Sequence, residues 1–241
     1  MSTPAKSAGL GNSAPGRPGS GAMSGVAAFM IIWVAAGFAS SIAVLVGGDT
    51  DVLPIPVLAA SLVTGWAVFL IGTWATSRIL GTGHVVDDYG LTARPIDLVG
   101  VPIGVVTQLI LIPALYVPLR ALWPATFDDA ALSETAEDLV ERADGGLIVL
   151  LFVLVVVGAP IVEEVVYRGL LQKPLLAHFP PWAVVVGVAA VFALIHFRPV
   201  EYPGLFVAGL VFGVLAWRAG RIGPAVAAHI GFNATGLLLA L

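Results

Sequence analysis

The sequence predicts an all-α protein, a polytopic bundle of about seven transmembrane helices with its N-terminus inside. Apolar residues occupy 59% of the 241 positions and charged residues only 11%, whereas soluble domains carry about 25% charged residues. Seven apolar segments approach the ~20 residues that a helix needs to cross a bilayer. Lysines and arginines are also unevenly divided among the connections between these segments, as the positive-inside rule describes.

The seven predicted spans are separated by polar residues and by glycine or proline. They lie at 25–46, 55–79, 98–120, 146–172, 182–197, 204–218 and 224–240. With the N-terminus inside, the outer connections hold only Arg120, Arg142 and Arg198 of the 11 lysines and arginines. Because positive charge is retained on the inner side of a membrane, this orientation is the predicted one.

Outside the spans, the sequence holds one tail and one long connection. Residues 1–24 are rich in glycine, proline, serine and alanine, which predicts a disordered tail before a single membrane domain at 25–241. The connection at 121–145 holds seven acidic residues. It is expected to form a surface helix that Ser133 caps, and a gate over the substrate is the alternative.

Composition also excludes several classes of function. The chain has no cysteine, so it has no disulfide framework, no thiolate metal site and no cysteine nucleophile. Its net charge is -4, and no basic patch indicates a nucleic-acid partner. The scarcity of lysine and the abundance of alanine, valine and glycine hint at a GC-rich bacterial genome.

A charged motif follows the apolar part of the fourth span. A charge near the bilayer centre costs ~3 kcal/mol or more unless it is paired or faces water, so this cluster predicts a functional site. Glu164 and Arg168 are four residues apart and share a helix face, where they can pair. Glu163 has no such partner in its own helix, and burial would suit it to proton transfer near neutral pH. Pro160 is expected to bend the helix before the two acids, and Gly169 to let a neighbouring helix approach.

Later spans add three further polar side chains. His196 ends the sequence Phe192-Ala-Leu-Ile-His196, and His229 and Asn233 lie one turn apart in the seventh span. Three helices would thus direct a carboxylate, two imidazoles and an amide towards one cavity. Peptide hydrolysis requires a base that activates water, an acid for the leaving nitrogen and donors for the oxyanion.

Each of these residues also has a structural interpretation. A single buried histidine or asparagine more often joins two helices than catalyses a reaction, and a Glu164–Arg168 pair is more often a packing bridge. Glu163 is harder to explain in this way, because the bridge does not need it. The full set therefore favours a catalytic site over separate structural contacts.

Three motifs follow one another on separate hydrophobic segments: Glu163-Glu164-x-x-x-Arg168, Phe192-x-x-x-His196 and His229-x-x-x-Asn233. In this order they resemble the CPBP family. That family comprises the CAAX prenyl proteases of the second type and the bacteriocin-processing and abortive-infection proteins. The likeness runs from Gly146 to Leu237 and includes Pro160 and the glycines of Phe206-x-x-Gly209-x-x-x-Gly213. The earlier spans are similar in character only, so 146–237 is the expected catalytic core.

The resemblance implies a glutamate-type intramembrane endopeptidase, a class once regarded as metalloproteases. Glu163 would be the catalytic glutamate and would activate water together with His196. His229 and Asn233 would stabilise the oxyanion, while Glu164 and Arg168 would shape the site. The resemblance implies no cofactor; if zinc is used, its ligands would be Glu163, His196 and His229.

The expected partners are the lipid bilayer and a membrane-bound or lipidated peptide or protein substrate. The expected location is a bacterial cytoplasmic membrane. The alternative is a non-catalytic membrane protein of the same fold, with an immunity or scaffold role, or a proton-coupled transporter. One further expectation concerns depth: His229 lies ~8 Å and His196 ~20 Å into their spans, so the fifth helix must start outside the hydrocarbon or tilt.

Overall fold

In the computed structural model, residues 20–47 and 53–241 are described. Throughout these residues every regular element is a helix, which confirms the all-α class. The predicted tail lies mostly outside the described residues, and the first helix begins at Ser20. In chain order the helices are α1 (Ser20–Gly47), α2 (Ile55–Leu80), α3 (Val85–Tyr89), α4 (Pro95–Leu122), α5 (Asp129–Glu141), α6 (Leu147–Leu176), α7 (Pro181–Leu194), α8 (Tyr202–Ala219) and α9 (Gly223–Leu239).

Five of these helices, α1, α2, α4, α6 and α8, are long and apolar enough to cross a bilayer. The fifth and seventh predicted spans correspond to the shorter helices α7, with 14 residues, and α9, with 17. The chain is therefore a multi-pass helical membrane protein whose span count is approximate. Of the five long helices, α6 has the largest buried share of its apolar window, 39%. It is the central helix, and it carries the charged motif.

The connections predicted to lie inside meet at one end of the bundle, called here the α3 end. The backbone N–H of Ile222 donates to Gly90 O, and Lys173 Nζ donates to Asp87 O at 2.6 Å. Arg221 forms an ion pair with Asp97 at the start of α4. These contacts join the segment before α4 to the last turn of α6 and to the segment before α9, which the predicted topology places on the same side of the membrane.

A hydrogen-bonded turn between α2 and α3 completes this end. Asp88 accepts hydrogen bonds from Ser77 Oγ and from the hydroxyl and backbone N–H of Thr82. Burial opposes ionisation of Asp88, but these hydrogen bonds outweigh it and lower the pKa of its carboxyl. The turn is thus held by a charged carboxylate at neutral pH.

The connections predicted to lie outside meet at the opposite end, called here the α5 end. Arg142 Nη1 donates to Leu53 O at 2.9 Å, and Arg198 pairs with Glu134 of α5 at 3.1 Å. The cap of α5 differs from the prediction: Asp128, not Ser133, accepts the hydrogen bond of the N-terminal turn, from Ala131 N at 2.7 Å. Ser133 lies inside the helix, because α5 begins five residues earlier than the prediction assumed.

Helix α7 is too short to cross the hydrocarbon layer. Its 14 residues span ~21 Å at 1.5 Å per residue, against about 30 Å for the bilayer core. It ends at Leu194, so His196 lies in a turn beyond the helix rather than inside a span. Phe197 follows with φ 54°, which makes it the one non-glycine residue with positive φ among those described. Non-helical backbone at membrane depth is tolerated where it is buried in protein or lines a cavity. That the fifth helix starts outside the hydrocarbon or tilts stays a prediction.

Helices α4 and α9 pack closely through glycine. A Cβ atom at Gly104 would overlap the carbonyl oxygen of Ala228 and lie 2.7 Å from the backbone nitrogen of Phe232. Both atoms are backbone and have little freedom to move. Ala228 directly precedes His229, so this contact also sets the position of that imidazole.

We expect Gly104→Ala to destabilise the protein, by about 1–3 kcal/mol or more, because the added methyl overpacks this interface. Gly187 of α7 provides a matched control, since a Cβ atom added there would have no neighbour within 4 Å. Gly187→Ala should leave stability unchanged or raise it by about 0.5–1 kcal/mol, as for an unstrained helical glycine. Thermal melts of the two purified variants measure the difference. Equal melting temperatures would contradict the packing argument.

Candidate active site

Two adjacent glutamates of α6 occupy different environments. The Glu164 side chain is completely buried, whereas 27% of the Glu163 side chain is exposed. π-helical segments at Val153–Gly158 and Val165–Gln172 flank them on either side. Such wide turns often occur at functional sites. The helix therefore separates one carboxylate that is enclosed by protein from one that opens to a cavity.

Glu164 joins α6 to α9. Its Oε2 accepts a hydrogen bond from Arg168 Nε at 2.9 Å, and its Oε1 accepts one from His229 Nδ1 at 3.0 Å. The Glu164–Arg168 pair is the one predicted from their spacing. Because a carboxylate accepts both bonds, His229 carries its proton on Nδ1, and its Nε2 is left free.

The free nitrogen of His229 faces the other glutamate. Its Nε2 lies 3.8 Å from Glu163 Oε2, and the imidazole is nearly buried. The imidazole of His229 thus lies between two carboxylates. Glu164 fixes the orientation of the ring, and the ring faces Glu163, as in sites where a third group orients a base.

An aromatic frame fixes both histidines. Phe212 of α8 stacks on His229, with ring centroids 4.5 Å apart and planes inclined by 21°. Phe192 lies edge-on to both histidines, 4.9 Å from His196 and 5.8 Å from His229. The sequence analysis did not single out Phe212. Its position three residues after Gly209, on the helix face that approaches α7, could have indicated it.

His196 is oriented by the backbone of α7. Its Nδ1 lies 2.6 Å from the carbonyl oxygen of Phe192. A carbonyl only accepts, so Nδ1 donates and Nε2 keeps its lone pair. The Phe192 ring contacts both His196 and His229, and so it links His196 to the Glu164 network. The hydrogen bond to Phe192 O uses Nδ1 of His196 and leaves Nε2 available.

Arg168 extends the polar network away from His229. Its guanidinium lies over the Phe192 ring, 5.5 Å from the centroid. Gln172, one turn further, donates from Nε2 to Gly213 O at 2.9 Å. A Cβ at Gly213 would lie 3.0 Å from Gln172 Oε1 and 3.6 Å from Arg168 Nη1. The motif glycine of α8 therefore makes room for two buried polar side chains of α6.

Asn233 lies apart from the carboxylates. Its Nδ2 donates to Val155 O at 2.8 Å, and Val155 is eight residues before Glu163, roughly 12 Å along α6. Pro160 explains this bond. In the π-helical turn the N–H of Ala159 bonds to Leu154 O, five residues earlier. In the same pattern, the donor to Val155 O would be residue 160. That residue is proline and has no N–H. Asn233 satisfies the carbonyl that Pro160 leaves without a backbone donor.

This pairing predicts coupling between Asn233 and Pro160. Asn233→Leu should destabilise the protein by about 1–3 kcal/mol, because Val155 O is left unsatisfied. In a Pro160→Ala background the cost should be smaller, since residue 160 regains an N–H for that carbonyl. Thermal melts of the two single variants and the double variant give the coupling energy. Pro174→Ala, at another proline of α6, is the matched background in which no coupling is expected; an equal cost of Asn233→Leu in all backgrounds would refute the explanation.

The zinc ligand set is not assembled in this geometry. Among the described residues, no three histidine, aspartate or glutamate side chains are grouped closely enough to hold a metal ion. Glu163, His196 and His229 are therefore not arranged as a metal triad.

Comparison with known proteins found one similar family. Residues 145–235 match the model of the type II CAAX prenyl endopeptidase Rce1-like family. The matched segment contains every candidate site residue, from Glu163 to Asn233, and it confirms the CAAX-protease family indicated by the motifs. This C-terminal part of the chain is thus similar to a family of membrane proteases. No curated protein matched the chain significantly, and no solved structure did.

Proposed function

We propose that the protein is an intramembrane endopeptidase that hydrolyses a peptide bond in or near the membrane with a water activated by Glu163 and His196. The observation that carries the proposal is the environment of the two glutamates. Glu164 is buried and bonded to Arg168 and His229, whereas Glu163 is partly exposed beside His229 Nε2. An unbonded carboxylate next to an oriented imidazole is suited to general-base catalysis.

In the first step, Glu163 takes a proton from water. The lone pair on His196 Nε2 accepts the second hydrogen of the same water and orients it. The water oxygen bonds to the carbonyl carbon of the scissile peptide, and negative charge develops on the carbonyl oxygen. When His229 Nε2 takes up a proton in addition to the one on Nδ1, it donates a hydrogen bond to that oxyanion, and the Glu164 carboxylate supports the ring.

In the second step, the carbon–nitrogen bond breaks. Glu163 transfers the proton it received to the leaving nitrogen, and the second hydrogen of the water stays on the attacking oxygen, so the products are a carboxylic acid and an amine. Asn233 retains a second N–H beyond the one bonded to Val155 O, and we propose that it helps to hold the oxyanion when the substrate is bound. Arg168 fixes Glu164 and takes no direct part.

The proposed substrate is a membrane-bound or lipidated peptide or protein, and the proposed location is a bacterial cytoplasmic membrane. A rival function is a non-catalytic membrane protein of the same fold, or a proton-coupled transporter. The Glu163–His229 pair, 3.8 Å apart, would also serve as a proton site without hydrolysis. Only the protease would form cleaved peptide fragments, so detection of these fragments separates it from both rivals.

The deciding experiment follows the fate of water. Purified protein in detergent is incubated with a library of lipidated and transmembrane peptides in water enriched in oxygen-18. Mass spectrometry should find new peptide fragments whose C-terminal carboxyl holds one heavy oxygen, and a chelator should not prevent their formation. Absence of fragments, together with proton flux in reconstituted vesicles, would replace the protease with the transporter.

A further inference from the structure

A cavity of about 190 Å³ opens beside Glu163. It lies between α1, α2 and α6, and its described lining includes none of Glu164, Arg168 and His229. Its lining includes Trp33 and Ser40 of α1, Gly65, Trp66 and Phe69 of α2, and Tyr167 of α6. Glu163 is the one carboxylate among the described lining residues, and the walls are otherwise aromatic, aliphatic or small.

Two glycines are required to form this cavity. A Cβ at Gly65 would overlap Ser40 Oγ, and a Cβ at Gly158 would overlap the ring of Trp66. Ser40 is held in place by a hydrogen bond from its Oγ to Ser61 O at 3.0 Å. Small residues thus form one wall, and Trp66 is brought against α6 to form another.

Most of the lining lies outside the part of the chain that matches the protease family. The matched segment covers residues 145–235, whereas Trp33, Ser40, Gly65 and Trp66 belong to α1 and α2. The cavity therefore combines a carboxylate of the catalytic segment with walls that this chain supplies separately. A wall of that kind is suited to select a substrate rather than to perform the reaction.

We propose that this cavity is the subsite for one apolar side chain of the substrate, next to the peptide bond that is cleaved. The inference rests on the proposed function. A volume of about 190 Å³ has room for a single large aliphatic or aromatic side chain. An acidic side chain is rejected, because it would lose its hydration against apolar walls and be repelled by the Glu163 carboxylate.

Ser40→Leu tests the subsite by reducing its volume. The measured quantity is the ratio of kcat/KM for two lipidated peptides that differ only in leucine or alanine beside the cleaved bond. This ratio does not depend on the amount of folded protein. We expect wild type to prefer leucine and Ser40→Leu to lower the ratio by about 10–200-fold, the usual range for a change in a hydrophobic pocket.

Ser41→Leu is the matched control. Ser41 is the next residue of α1, is exposed and bonds only to Gly37 O within its own helix. Its substitution should leave the ratio at the wild-type value. Trp66→Leu acts in the opposite direction, since it enlarges the cavity, and should raise the preference for side chains larger than leucine.

The outcomes separate the subsite from the activity itself. If wild type cleaves neither peptide nor any other in the library, the proposed function fails. If wild type cleaves but Ser40→Leu keeps its ratio, the subsite is refuted. Should Ser40→Leu fail to fold, an unchanged ratio in Trp66→Leu refutes it equally. Inhibition by added lipid with no dependence on the substrate side chain would assign the cavity to a lipid chain instead and overturn the proposal.

Discussion

Glu163→Gln is expected to lower kcat by about 10²–10⁴-fold, the range that general acid–base catalysis supplies. The amide keeps the shape of the side chain but cannot take a proton from water. Its folding should be almost unaffected, because 27% of the Glu163 side chain is exposed and its nearest ionic contact, His229 Nε2, is 3.8 Å away. Turnover of a cleaved peptide and a thermal melt, made on the same preparation, measure both effects.

Glu164→Gln is the control at the neighbouring residue, and it should differ from Glu163→Gln in its effect on stability. Glu164 is fully buried and accepts from both Arg168 and His229, so its substitution should lower the melting temperature as well as the activity. Glu134, an exposed acid of α5 paired with Arg198, should tolerate Glu134→Gln in both measurements. Full activity in Glu163→Gln would assign the base to another residue and end the proposed mechanism.

The parts of the site that follow from local helix geometry could be predicted from the sequence. The pair Glu164–Arg168 depends only on a separation of four residues, which places both side chains on one helix face. The position of Asp128 at the N-terminus of α5 depended on where that helix begins. A shift of a few residues moved the cap from Ser133 to Asp128, because both residue types cap helices equally well.

Contacts between helices could not be predicted in the same way. The bond from His229 to Glu164 crosses from α9 to α6, and it depends on the close approach that Gly104 allows at the α4–α9 interface. The sequence indicated that His229 and Asn233 share a face, yet His229 bonds to Glu164 while Asn233 bonds to Val155 O. That difference follows from Pro160, whose missing N–H creates an acceptor that no hydrophobic pattern reveals.

The end of α7 before His196 is a second feature that the sequence pattern could not predict. An apolar run predicts a span whether the helix crosses the membrane or stops within it, and α7 stops after 14 residues. The turn beyond it is held from α4, where Tyr116 donates from its hydroxyl to Val200 O at 2.7 Å. This tertiary bond, over 84 residues of sequence, holds the turn in a way that the local sequence does not reveal.

Arg168→Leu is expected to destabilise the protein by about 3–5 kcal/mol, the cost of removing one partner of a buried ion pair. The side chains of Arg168 and Glu164 are both completely buried. Loss of the guanidinium leaves the Glu164 carboxylate with only His229 as a partner, in a setting where hydration cannot compensate. Thermal melts in detergent measure the loss, and Arg78→Leu at the end of α2 is a control that removes an arginine outside the network.

The double variant Glu164→Leu/Arg168→Leu separates stability from function. Replacing both members of a buried ion pair by apolar residues is often neutral or stabilising, so the double variant should melt above Arg168→Leu. It should nevertheless have little activity, because His229 Nδ1 loses the acceptor that fixes its ring and its tautomer. A protein that is folded but inactive would establish that the buried pair serves the imidazole. If the double variant instead regained wild-type activity, Glu164 would be a packing residue and His229 would need no orientation from it.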